Sequence, residues 1–294
     1  MKKLTFLILF ISLFSFKAQA QFGSGNHPPE IDSDNIITFK KTETIDLKLW
    51  IFNPEIMTGN NSAIVFFFGG GWIGGSPRQF IEQAKFFSSN GMVSIIADYR
   101  VFSRDSVRAI KCISDAKSAI RWVRKNAKSL GIDSNKIVAS GGSAGGHLAA
   151  STGTVPDYDE GNEDQSISSK PNAMVLFNPG LMTYASQGLY RDEVMIDRAR
   201  IRVGDDPKKA SPYYHLNNNV APTIIFHGKN DKTVPYESVV LFDKKMKEYE
   251  NICELHLYEG EEHGFFNYGR NSGIAFKDTM EKSYNFLKKL KFIK

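Results

Sequence analysis

Apolar residues along this chain fall into two patterns that alternate. Solid apolar runs at 63–68 and 93–97 have the length of strands covered on both faces, and residues 46–52 alternate apolar with polar positions. Further strand-like runs stand at 136–140, 173–177, 223–227 and 254–258. Between them, apolar residues recur at helical spacing over 77–90 and 105–130, the second through Ala109, Ile113, Ala116, Ile120 and Val123, and again over 274–290. Strands that alternate with helices predict a mostly parallel central sheet with helices on both faces. In such sheets ligands bind outside the carboxyl ends of the strands, so polar residues just past those ends are where chemistry is expected.

The first residues break the pattern. Residues 1–20 join a basic start, an apolar stretch from Leu4 to Phe16 and the small-residue site Ala18-Gln19-Ala20, as a cleaved secretory signal does. The apolar stretch falls short of the ~20 residues that a membrane span needs, so no stable membrane insertion is expected after cleavage, and the product would be secreted or periplasmic. Residues 21–44, with Pro28-Pro29, read as a flexible lead-in, and 45–294 as one catalytic domain. The net charge of +5 loses Lys2, Lys3 and Lys17, and no acid, with the signal, which leaves +2. The one basic run, at 288–294, is explained by a solvated helix face, so no nucleic-acid partner is expected. Cys112 and Cys253 cannot build a disulfide framework; one bridge between them or two buried thiols both fit. No cysteine or histidine stands at zinc spacing, so no metal is expected.

The chemistry centres on Gly141-Gly142-Ser143-Ala144-Gly145, which follows one predicted strand and opens helix-forming sequence. A serine on so sharp a strand-to-helix turn needs small neighbours two residues to either side, and glycine stands at both. An activated serine also needs a base and a carboxylate that orients it. Of the six histidines, His263 lies in a loop just past the 254–258 strand, and Asp231 lies just past the 223–227 strand. Both fall on the expected edge. Glu261 and Glu262 read as solvated loop acids. The glycine-rich turn Gly69-Gly70-Gly71 after the 63–68 strand carries no phosphate-loop signature and is better explained as an anion hole beside Ser143.

With these pieces in order, the chain resembles the α/β-hydrolase esterases related to hormone-sensitive lipase, and among them the bacterial acetyl-xylan and feruloyl esterase-like carbohydrate esterases. The resemblance rests on Phe68 to Trp72, Ala97-Asp98-Tyr99-Arg100, residues 115–126, the elbow, His227 to Pro235 and Glu262-His263-Gly264. It implies an α/β-hydrolase fold with a minimal N-terminal cap, no cofactor, and the triad Ser143, Asp231 and His263. Backbone N–H groups of Gly70, Gly71 and Ala144 would line the oxyanion hole. The implied substrate is a small-molecule or oligosaccharide ester of an acetyl or small aromatic acid, with Trp72 and Tyr213 as candidate stacking surfaces for sugar. Two positions depart from the family. Phe68 stands where a histidine usually braces the oxyanion loop, and Gly142 stands where many relatives carry an acid. Residues 154–219 offer room for a cap, and the acidic stretch 157–169 reads equally as cleft lining or as surface loop. A serine peptidase of the prolyl-oligopeptidase type and a non-catalytic binding protein on the same scaffold are the competing readings.

Overall fold

The structure, a computed structural model, describes residues 27–183, 189 and 193–294. The expected signal at 1–20 lies outside the described residues. Among those described, no helix is long and apolar enough to cross a membrane.

Eight strands form one sheet: β1 (Asn35–Lys41), β2 (Asp46–Phe52), β3 (Asn61–Phe67), β4 (Val93–Ala97), β5 (Ile132–Gly142), β6 (Ala173–Phe177), β7 (Thr223–Gly228) and β8 (Cys253–Tyr258). Their spatial order is β1-β2-β4-β3-β5-β6-β7-β8. The pairs β1–β2 and β2–β4 are antiparallel and every other pair is parallel. The two predicted solid apolar runs become the fully buried strands β3 and β4, and the further strand-like run at 173–177 becomes the equally buried β6, which is what helices on both faces demand. This is the expected α/β-hydrolase architecture.

The helices are α1 (Ile81–Ser89), α2 (Phe102–Asp105), α3 (Ala109–Lys125), α4 (Ala144–Thr154), α5 (Glu193–Val203), α6 (Glu237–Glu248) and α7 (Ile274–Lys289). The predicted helix at 105–130 is shorter at both ends. Ser106 adopts a left-handed φ of 55°, which ends the short α2 and separates it from α3. Neither β1 nor α6 was among the expected elements. The lead-in 21–44, expected to be flexible, instead holds β1 at a sheet edge, where Asn35 and Lys41 are exposed and the polar Thr38 and Lys40, the latter paired with Asp115 at 2.7 Å, hide the strand pattern.

The stretch 157–169 packs on α3. Lys117 Nζ meets Asp159 Oδ2 at 2.8 Å, Arg121 pairs with Asp159 and, at 3.0 Å, with Glu163, and Ser114 Oγ donates to Glu160 at 2.5 Å. Asp159 and Glu163 are thus neutralised against helix cations and Glu160 against Lys40 and Arg100, so these three acids do not read as free cleft lining. Cys112 and Cys253 are free, buried thiols, and burial raises the pKa of both.

Candidate active site

Ser143 sits between β5 and α4 with φ 55° and ψ −119°, a conformation that only a constrained turn imposes on a residue with a side chain. Its N–H donates to the Phe177 carbonyl at the end of β6 (2.9 Å). The flanking glycines are required by contact. A β-carbon on Gly145 would stand 2.0 Å from the Phe67 carbonyl oxygen, and one on Gly141 would stand 2.4 Å from the Gly145 oxygen. Backbone fills both places, so no side-chain movement makes room.

The three predicted residues converge. Ser143 Oγ donates to His263 Nε2 at 2.8 Å, and His263 Nδ1 donates to Asp231 Oδ2 at 2.6 Å. The carboxylate is fully used: Oδ1 accepts the N–H groups of Thr233 (2.8 Å) and Val234 (2.9 Å), and His227 Nε2 stands 3.2 Å from Oδ2. Burial opposes ionisation of Asp231. The hydrogen bonds from His227, His263 and the backbone outweigh it and hold the group well below the usual carboxylate range. A permanent carboxylate at this place fixes the tautomer of His263, leaving Nε2 as the acceptor that faces the serine.

Loops on both sides hold His263. The Gly264 N–H donates to Asn178 Oδ1 (2.9 Å), Asn267 Nδ2 donates to the Gly264 carbonyl (2.8 Å), and Arg270 Nη1 donates to the His263 carbonyl (2.6 Å). None of Asn178, His227, Asn267 and Arg270 stands out in the sequence as a site residue. His227 alone carried a signal, as the first residue of the stretch that ends at Pro235.

The glycine loop after β3 lies beside the serine, and a β-carbon on Gly69 would be 3.4 Å from Ser143 Cβ. Gly70 has φ 135°, and its carbonyl accepts from Ile73 and Gly74 in a tight turn that a β-carbon would overlap at 2.1 Å. Neither the Gly70 nor the Gly71 N–H donates to another described residue. Ala144, the third predicted donor, is the first residue of α4, where helix N–H groups have no partner within the helix.

Phe68, which departs from the family's histidine, is braced by other means. Its ring stacks on Tyr99 at 4.1 Å, and Tyr99 Oη donates to the Phe68 carbonyl at 2.7 Å. Gln79 Oε1 accepts the Gly69 N–H at 2.6 Å. The other departure, Gly142, has lost its side chain to a neighbour: a β-carbon there would lie 2.3 Å from Phe266 Cζ.

Of the two candidate stacking residues, Trp72 follows the glycine turn with φ 60° and meets the His147 ring edge-on at 4.9 Å. Lys245 Nζ lies 4.5 Å from the centroid of the Tyr213 ring, which also meets the Tyr214 ring edge-on at 5.3 Å. The Tyr213 N–H donates to the Leu181 carbonyl at 3.1 Å.

An esterase from the planctomycete Thermogutta terrifontis, solved with propionate bound, is 49% identical, over 91% of this chain and 98% of that one, with a TM-score of 0.85. A probable isoprenylcysteine alpha-carbonyl methylesterase of Arabidopsis thaliana is 27% identical over 234 residues, 74% of this chain and 48% of that protein. Endo-1,4-beta-xylanase B of Butyrivibrio fibrisolvens is 29% identical over 188 residues, 61% of this chain and 28% of that protein. The chain thus spans about half the length, or less, of these curated relatives. The family model BD-FAE matches residues 49–246, from β2 through the elbow and Asp231 into α6, and the chain belongs to this family of hormone-sensitive-lipase-like α/β-hydrolase esterases.

Proposed function

We propose that this protein is a serine carboxylesterase acting on short acyl esters. The observation that carries the reading is the continuous hydrogen-bonded line from Ser143 Oγ through His263 to Asp231, beside two glycine N–H groups that donate to no described residue. His263 takes the proton of Ser143 as its oxygen attacks the ester carbonyl. The charge that develops on the carbonyl oxygen is met by the N–H groups of Gly70, Gly71 and Ala144. His263 then gives its proton to the leaving alcohol, which departs and leaves an acyl-enzyme. Water, deprotonated by the same histidine, attacks this ester, and the acid and free serine are released. Asp231 holds the imidazole throughout and stabilises its charged form.

A short acyl group is supported by the propionate bound to the Thermogutta esterase, and a polysaccharide-derived alcohol by the xylanase relative. Export by residues 1–20 would bring the enzyme to such material outside the cytoplasm. The test is a substrate panel: p-nitrophenyl acetate, propionate and decanoate, methyl ferulate, acetylated xylan and dipeptide anilides. The expected order is acetate and propionate well above decanoate, acetate release from xylan, and no anilide cleavage. Preference for decanoate would overturn the short-acyl assignment, an inert xylan would overturn the polysaccharide assignment, and anilide cleavage would favour a peptidase.

A further inference from the structure

We infer that Gln79 and Asn267 form a positioning strut that sets the oxyanion loop against the histidine loop. The inference rests on the esterase reading of Ser143. The Gly69 N–H donates to Gln79 Oε1 at 2.6 Å, Gln79 Nε2 donates to Asn267 Oδ1 at 2.9 Å, and Asn267 Nδ2 donates to the Gly264 carbonyl at 2.8 Å. Two side-chain amides thus join the residue before Gly70 to the residue after His263.

The order of donors and acceptors along this line is fixed from its ends. The Gly69 N–H can only donate, so Gln79 must turn Oε1 toward it and Nε2 away. Asn267 must then present Oδ1 to Gln79, which leaves Nδ2 for a carbonyl that can only accept. Flipping either amide breaks two bonds, so the strut has one arrangement. That arrangement ties together the two groups that act on one tetrahedral carbon: the N–H donors that stabilise the charge on its carbonyl oxygen and the imidazole that passes the proton from Ser143 to its leaving oxygen.

Each loop also has its own anchor. Tyr99 holds the Phe68 carbonyl and Asn178 holds the Gly264 N–H, so removing the strut leaves both loops attached but free to shift against each other. The strut therefore acts on the geometry of the transition state more than on folding or on ground-state binding. Small displacements of such groups are costly, because oxyanion donors and proton acceptors work within a few tenths of an ångström.

The experiment uses the full chain and the variants Gln79→Met, Asn267→Leu, Asn267→Asp and Gln79→Met/Asn267→Leu, with p-nitrophenyl acetate. Each single variant is expected to lower kcat about tenfold while KM stays within about twofold, the cost of a loosened but intact site. The double variant is expected to be no slower than the slower single variant, because one break already uncouples the loops. Affinity for a trifluoromethyl ketone, which adds to Ser143 and forms the oxyanion, should fall by the same factor as kcat. Asn267→Asp keeps the acceptor for Gln79 and turns the donor to Gly264 into a carboxylate oxygen that repels the carbonyl, so it should show at least the same kcat loss without a change of side-chain size. Losses that multiply in the double variant to about a hundredfold, or that fall on KM alone, would overturn the strut, as would an unchanged kcat in Asn267→Asp. Failure of the underlying reading looks different: the native protein would be inactive, or Ser143→Ala would be as active as the native protein.

Discussion

Replacing Gly142 with alanine adds one methyl group at a place where the backbone has no objection to it. Gly142 is not among the residues with positive φ, so by backbone entropy alone alanine would stabilise the chain by about 0.4–1 kcal/mol. Packing reverses the sign. The new carbon would lie 2.3 Å from Phe266 Cζ and 3.1 Å from Cε1 and Cε2, whereas carbons pack at about 3.5–4.0 Å. The ring has no easy retreat: it is 1% exposed and stacks between Phe80 (5.9 Å) and Phe177 (4.8 Å). Overpacking of this kind costs about 1–3 kcal/mol, which with the backbone gain set against it leaves a net loss of about 1–2 kcal/mol. For a chain of this size that lowers Tm by about 2–3 °C. The position immediately precedes Ser143, so kcat on p-nitrophenyl acetate should fall as well.

A second substitution checks the cause. Phe266→Leu has no atom at the Cζ position and by itself should cost about 1–2 kcal/mol for lost ring contacts. In the double variant the alanine carbon finds space, so the two costs should fall short of additive by about 2 kcal/mol. Thermal and urea denaturation of the four proteins measure this directly. A Gly142→Ala protein that melts with the native one, or a double variant whose costs simply add, would refute the packing argument.

Asp231→Asn should keep the fold and lower kcat by about 10³–10⁴, because the amide no longer fixes the imidazole tautomer; steady-state rates on p-nitrophenyl acetate check it. Tyr99→Phe leaves the buried Phe68 carbonyl without its donor and should cost about 1–3 kcal/mol in urea denaturation. His147 gives a pH dependence. Burial lowers its pKa from 6.5 to about 4, despite the hydrogen bond from Nε2 to the Ala210 carbonyl. Below pH 6.5 the unfolded chain takes up a proton that the folded one refuses, so stability falls as pH drops from 6.5 to 4, by about 3 kcal/mol in all, and this contribution is flat above that range. His147→Gln can keep the donor and does not titrate, so its stability should slope less over the same window. An equal slope in both proteins would remove His147 as the source.

The meeting of Ser143, Asp231 and His263 was legible because each follows a strand that announces itself by apolar runs, and strand ends in a parallel sheet share one edge. Ser143 needed only its two glycines to declare the turn. Other parts left no local trace. The strand β1 lies at an edge and shows too little alternation, and α6 carries only Val239, Phe242 and Met246 as buried apolar residues among charged ones. Gln79 and Asn267 are 188 residues apart, and nothing near either one signals a hydrogen bond to the other. The departures at Phe68 and Gly142 could be seen in the sequence but not resolved there. Their answers, the Tyr99 stack and the Phe266 ring, are tertiary contacts.

The central claim is that Ser143 is the nucleophile of an ester hydrolase. Hydrolysis of p-nitrophenyl acetate by the native protein and by purified, folded Ser143→Ala tests it most directly. The account predicts steady release of p-nitrophenol by the native protein and a loss of at least about 10³-fold in the variant, since the oxyanion donors alone retain little of the catalysis. Equal rates in the two proteins, or no hydrolysis by the native one, would contradict it.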